Sequence, residues 1–313
     1  MREEPAGGTA QLEHAAVCYA AEDEYLDEVL GFVGAGLDDG DLVFVAVPGP
    51  KLGMLREHLD RRASQVTFAD MTQLGANPAW IIPRVRAFID ANPGRQVRYV
   101  GEPIWETRSA EELCEATRHE ALINLAFAGV PVRILCPYDI TRLDPDVIAN
   151  AEHTHPVVIR DGHSRRSPAY AEAGMFPEQC DQPLPAPPRR AAAFTYRDGL
   201  AQVRAFAGEY ARKAGLSSRR VADLVTAVHE LAANTLRHTS SDGLLNMWAS
   251  PGEVVCQVQD AGCVSDPLVG RCLPAPDASH GHGLWVVHQL CDLVELRTGA
   301  SGTTIRLHMR LSP

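Results

Sequence analysis

The sequence predicts an α/β domain built on a mostly parallel sheet, then an α+β domain, and three observations carry that expectation. In the first half, short continuous apolar runs alternate with helical patterns, which reads as strands covered on both faces. Between 164 and 190 the chain is broken by Pro168, Pro177, Pro183, Pro185, Pro187 and Pro188, which marks a linker, semi-stiff in its last third. In the second half one long amphipathic pattern precedes strands separated by tight turns.

Taken in order, the first half reads as a strand over 14–20 and a helix over 22–38, with Tyr25, Leu26, Val29, Leu30 and Val33 on one face. A strand over 41–47, a helix over 50–62 and a strand over 65–69 follow. A helix over 79–90 persists despite Pro83, then a strand over 96–101, a helix over 110–128 and a strand over 132–136. The turn from Val47 to Gly53 lacks the Gly-Lys-Ser/Thr ending of a phosphate loop. In a doubly wound sheet, ligands gather at the carboxyl ends of strands. Polar residues collect there: Asp70, Glu102, Tyr138 and Asp139. With His14 opening the first strand and His119-Glu120 inside a helix, they make a candidate sensory pocket. Metal ligation by His14, His119 and Glu120 is a weaker reading, because these residues lack short-range ligand spacing.

The second half opens on a helix over 216–240, with Ser217 as its N-cap and Val221, Leu224, Val225, Val228, Leu231 and Ala232 as the buried stripe. Glu230 and Asn234 stand one turn apart on the other side. Strands over 243–249 and 254–259 are joined by the Pro251-Gly252 turn, and the second ends at Asp260-Ala261-Gly262. After a Pro-, Ala- and Ser-rich loop, Gly281-His282-Gly283-Leu284 opens an apolar helix, where glycines allow backbone N–H groups to approach phosphate. A hairpin at Gly299 to Gly302 leads into a last strand that begins Thr303-Thr304. The residue types suit a nucleotide triphosphate. Mg²⁺ takes few protein ligands, of which Asn234 can supply one, and Glu230 can accept a proton from an attacking hydroxyl.

Composition narrows the field. The chain has 313 residues, enough for two cored domains, and a net charge of -11, which opposes direct nucleic-acid binding. Its start lacks the pattern of a signal peptide, and no apolar run approaches the roughly 18 residues of a membrane span, so a cytoplasmic protein is expected. Eight cysteines without a Cys-x-x-Cys pair read as reduced thiols.

The ordered set Glu230-x-x-x-Asn234, Asp260-x-Gly262, Gly281-x-Gly283-Leu284 and Gly302-Thr303-Thr304 resembles the ATP-binding domain of the GHKL superfamily, and within it the anti-sigma-factor serine kinases. The resemblance implies a two-layer α+β (Bergerat) fold over 194–311 that binds ATP and Mg²⁺. It assigns Asp260 to the adenine amine, Gly281 and Gly283 to the phosphates, a lid to 263–280, and Thr303 or Thr304 to the pocket wall. Val264 departs from the pattern, which usually has glycine there. The segments around His14, Asp70, Glu102, His119-Glu120 and Tyr138-Asp139 resemble the MEDS sensory domain, a recombinase-like core without its phosphate loop, over 13–158. A linker over 159–193 joins the two. The implied protein is a sensory domain controlling a serine/threonine kinase that phosphorylates an antagonist protein or sequesters a sigma factor. A small-molecule input ligand and a homodimer would be consistent with this reading. The alternatives are a non-catalytic partner-binding module and, less favoured, a sensor histidine kinase, for which no phospho-acceptor helix pair is evident.

Overall fold

The computed structural model describes residues 12–274 and 282–311. The chain divides into two compact units, Met1–Cys180 and Asp181–Pro313. Among the described residues no helix is long and apolar enough to cross a membrane.

The first unit runs β1 (Glu13–Tyr19), α1 (Glu22–Asp39), β2 (Leu42–Val47), α2 (Gly49–Leu59), β3 (Val66–Asp70), α3 (Met71–Leu74), α4 (Ile81–Asp90), β4 (Val97–Gly101), α5 (Ala110–Ala126), β5 (Val132–Asp139), α6 (Pro145–Thr154), β6 (Val157–Arg160) and β7 (His163–Arg166). The strands form one sheet in the order β3-β2-β4-β5-β1-β6-β7, parallel except for the last pair. Central strands such as β2 are apolar throughout because helices cover both faces. Pro83 sits in the first turn of α4, where its missing N–H would have had no helical partner, so the helix survives it. Ser109 caps α5 and exchanges bonds with Glu112 in a capping box.

The segment expected as linker is partly folded. Asp161 and Gly162 both have positive φ, 51° and 70°, the conformation of a two-residue hairpin turn, so β6 and β7 pair antiparallel and complete the sheet. All four residues of β7 are exposed and two are arginines, which suits an edge strand that must resist further pairing. Beyond it, Ser167 donates to Glu152 O at 2.6 Å, and the Arg118 guanidinium lies 3.6 Å from the Phe176 ring centre. A short helix, α7 (Glu178–Asp181), follows at the division between the units.

The second unit runs β8 (Ala192–Tyr196), α8 (Leu200–Lys213), α9 (Ser218–His238), β9 (Gly243–Ser250), β10 (Glu253–Asp260), α10 (His282–Leu290), β11 (Leu293–Gly299) and β12 (Gly302–Arg310). Its sheet is antiparallel in the order β11-β12-β10-β9-β8. The apolar stripe of α9 (Leu224, Val228, Leu231) packs with Val203 and Ala207 of α8 and Val287 of α10 over Leu245, Met247, Cys256 and Leu307 of the sheet. Two layers result, with helices on one face. Period-two alternation sends Gln257, Arg306 and His308 to the opposite face.

Candidate functional site

One cavity of about 550 Å³ lies between α9, the end of β10, the start of α10 and β12. Glu230 and Asn234 enter it from α9, because a four-residue step along a helix returns to the same face. Glu230 has no hydrogen bond or ion pair among the described residues. Asn234 accepts from Arg237 Nη1 through Oδ1 at 3.3 Å. Gly283 faces both: a Cβ built there would stand 3.0 Å from Glu230 Oε2 and 3.2 Å from Asn234 Nδ2, so a side chain would fill the gap between helix end and acid. Leu284 is buried beside it and joins the core. Gly281 lies outside the described residues, as does most of the second half of the expected lid.

At the other end, Asp260 is held from two sides. Thr235 Oγ1 donates to its Oδ2 at 2.7 Å, and the Gly262 N–H donates to its Oδ1 at 2.8 Å. The carboxylate is thus aimed before any ligand arrives. Gly302 has φ +110°, and a Cβ there would meet Asp260 O at 2.1 Å, so only glycine fits where the hairpin crosses the strand end. Register decides between the two threonines. Thr303 pairs with Asp260, lines the cavity and donates to Gly262 O at 2.9 Å, whereas Thr304 turns to the opposite face and accepts from Gln259 at 3.3 Å. Val264 also lines the cavity, its N–H fixed by Thr298 Oγ1 at 3.0 Å. His238 reaches the rim, while His229 faces Arg204 at 3.2 Å, away from the cavity. Thr235 and Tyr196, which bonds Thr235 at 3.1 Å, were not singled out from the sequence, because nothing local marks a threonine in a helix as the partner of a distant carboxylate.

In the first unit the residues expected to share one pocket divide between two places. Glu102 and Asp139 line a cavity of about 600 Å³ at the carboxyl ends of the strands, together with Tyr19, Tyr25, Lys51 and Trp105. The segment expected as a turn from Val47 to Gly53 instead opens α2, and Lys51 in that helix's first turn bonds both the Tyr19 hydroxyl and the Glu102 carboxylate. Burial pushes Glu102 up to about 7 despite that ammonium. Glu102 Oε2 and the Tyr25 hydroxyl are buried without a hydrogen-bond partner among the described residues.

His14, His119, Glu120 and Tyr138 do not line this cavity. They are buried in the interior, because β1, α5 and β5 turn these side chains between sheet and helix rather than to the strand ends. His14 and Glu120 meet at 3.2 Å, joined by Cys136 and by His155, two residues that sequence reasoning did not place there. His119 points elsewhere and is not part of the cluster. Burial, then the neighbouring His155, hold His14 below the usual imidazole value.

A two-layer unit with an acid and an amide on one helix, a held aspartate at a strand end and a glycine at a facing helix start defines a nucleotide-binding ATPase fold. The comparisons give the families. Residues 195–309 match the histidine kinase-like ATPase domain, and residues 13–156 match MEDS, the MEthanogen/methylotroph, DcmR Sensory domain. The chain is thus a MEDS domain joined to a histidine kinase-like ATPase domain of the GHKL type. Among solved structures it is similar to the RsbU and RsbW domains of a Mycobacterium tuberculosis protein, at 22% identity and TM-score 0.30, covering 39% of this chain and 33% of that one. It is also similar to the ATPase domain of the protein called G40P, at 13% identity and TM-score 0.34, covering 49% of this chain and 69% of that one. The chain thus spans about a third of the length of the first of these structures. No curated protein matches it.

Proposed function

We propose that the second unit binds ATP with Mg²⁺ and transfers a phosphoryl group to a serine or threonine of a protein partner, under control of a ligand in the first unit. The observation that carries this reading is the convergence of Glu230, Asn234 and Gly283 at one end of a cavity whose other end holds Asp260.

The residues fit the nucleotide. The gap at Gly283 leaves room for phosphate oxygens at the N-terminus of α10, whose free N–H groups favour negative charge. Asn234 supplies a side-chain oxygen for Mg²⁺, once Arg237 yields it. Bound Mg²⁺ supplies charge neutralisation along the phosphates. Glu230, which has no competing partner among the described residues, accepts the proton of the attacking hydroxyl. Asp260, with one lone pair of each oxygen already engaged, accepts from the adenine amine. Thr303 holds the wall by tying Gly262 O.

The motif resemblance makes the partner an anti-sigma-factor antagonist or a sigma factor, with the kinase acting as a homodimer in the cytoplasm. In the first unit, the unpartnered Glu102 Oε2 and Tyr25 hydroxyl beside aromatic walls suit a small organic ligand bearing a hydrogen-bond donor. Arg237 on Asn234, with Val264 in place of glycine, favours a second reading in which the unit holds a partner without catalysis.

Calorimetric titration of ATP into the full chain, with and without Mg²⁺, tests the site. Mg-dependent binding that Asp260→Asn abolishes supports it, and no binding in the intact chain sinks it. Glu230→Gln separates the two readings: nucleotide binding and partner binding kept with phosphoryl transfer lost supports catalysis, whereas unchanged signalling supports the partner-holding module.

A further inference from the structure

We infer that the MEDS unit encloses a four-coordinate transition-metal centre of the zinc type, held by His14 Nε2, Glu120 Oε2, Cys136 Sγ and His155 Nε2. The four donor groups lie within 4.8 Å of one another and all four residues are buried. They come from β1, α5, β5 and the residue after α6, so a shared ion would tie four elements together.

Four of the six donor–donor spacings match a coordination shell, and the two from His155 Nε2 to His14 and Cys136 lie within 4.8 Å, close enough for a bound ion to draw in. Bond lengths of about 2.0–2.1 Å to nitrogen or oxygen and about 2.3 Å to sulfur place tetrahedral ligands about 3.3 Å apart for N and O, about 3.5 Å for S and O, and about 3.6 Å for S and N. The cluster shows His14 Nε2 to Glu120 Oε2 at 3.2 Å, His155 Nε2 to the same oxygen at 3.3 Å, Cys136 Sγ to it at 3.4 Å, and Cys136 Sγ to His14 Nε2 at 3.5 Å.

Proton positions point the same way. His155 Nδ1 lies 2.8 Å from Ala151 O, a group that only accepts, so this nitrogen carries the proton. Asn124 donates its Nδ2 to Thr154 O at 2.7 Å, which leaves Oδ1 facing His14 Nδ1 at 3.0 Å, so that nitrogen is a donor too. Both Nε2 atoms of the neutral rings therefore present lone pairs to a carboxylate oxygen. Among the described residues, His155 Nε2 and Glu120 Oε1 have no hydrogen-bond partner. Three acceptors converge, and the single Cys136 S–H can satisfy one of them. Protonating both rings would supply the missing donors but bury two cations against one carboxylate. A divalent ion with one thiolate and one carboxylate sums to zero charge, and imidazole nitrogens whose other N–H is anchored by an amide or carbonyl oxygen are what ligating histidines look like. The soft sulfur and two nitrogens select zinc over magnesium or calcium. None of the four residues lines the cavity at the strand ends, so the shell is closed and the centre structural.

The test uses the full chain purified without chelator, its metal measured by mass spectrometry, and a sample reloaded with cobalt(II). About one zinc per chain is expected, with a tetrahedral cobalt spectrum carrying a thiolate charge-transfer band. Cys136→Ser should lose that band while Cys18→Ser, another buried thiol in the same sheet, keeps it. His155→Ala should purify with roughly no zinc. Should these variants fail to fold, the cobalt spectrum of the unaltered chain still decides, because a thiolate band requires a cysteine ligand. A chain that takes up no zinc or cobalt after resupply, or a cobalt complex without thiolate absorption, overturns the inference.

Discussion

Thr235 Oγ1 on α9 donates to Asp260 Oδ2 at the end of β10 across 2.7 Å, and the Tyr196 hydroxyl of β8 lies 3.1 Å from the same oxygen. Three elements thus meet at the Thr235 hydroxyl, which accepts from Tyr196 and donates to Asp260. Thr235→Val preserves shape but leaves Asp260 and Tyr196 each short of a partner, a change worth about 1–3 kcal/mol. ATP affinity should fall roughly tenfold, read by calorimetric titration. Unchanged affinity would remove Thr235 from any role in aiming Asp260.

Gly283→Ala should keep the fold and lose the nucleotide. The new methyl would press on Glu230 Oε2, the far end of a flexible side chain that can move aside, so the thermal midpoint stays close to the parent's. The space for phosphate does not survive. Gly302→Ala should instead be destabilising, since its Cβ meets backbone in a positive-φ conformation, a strain of about 1–3 kcal/mol before the clash is counted. Circular dichroism melts alongside ATP titrations distinguish the two outcomes.

Lys51→Met tests the ion pair beneath the first unit's cavity. Glu102 titrates near 7 in the folded protein, above its ordinary 4.5, so ionising it costs stability that is lost as pH rises through about 7. Without Lys51 that cost grows. The variant should resemble the parent at pH 5 and fall below it at pH 8 by up to about 1.4 kcal/mol, the cost of keeping Glu102 protonated one pH unit above the parent's 7. Denaturant titrations at both pH values check this, and an equal deficit at both would show that Lys51 acts through packing alone.

His308 sits between Glu253 at 3.2 Å and Glu295 at 3.0 Å, with Arg306 3.7 Å from the second acid. Burial opposes its charge, but the two carboxylates raise it to about 9. A folded value above the unfolded 6.5 means the contribution is complete below about pH 6.5 and fades as pH rises through 9. It is on the order of 2–3 kcal/mol. His308→Gln should flatten the decline in stability between pH 6 and 10, measured by thermal unfolding of the full chain, and a parallel decline would exclude His308 as its source.

Much of this protein was legible without coordinates because the informative signals are local. The four-residue step from Glu230 to Asn234, the strand end at Asp260 and the alternating apolar runs of the first half each depend only on the period of one element. The hairpin at Asp161-Gly162 was also written locally, but the prolines that follow it masked the turn.

What tertiary structure decided is what depends on register between distant strands. Pairing of Asp260 with Thr303 turns that threonine into the cavity and Thr304 out of it, and a slip of one residue would exchange them. Parallel pairing of β1 with β5 sets Ala16 beside Cys136, which brings His14 and that cysteine to one side of the sheet, where α5 delivers Glu120 and the end of α6 delivers His155. No spacing in the chain announces that meeting. It arises because residues more than a hundred positions apart are aligned by backbone hydrogen bonds, and those form only when the whole sheet does.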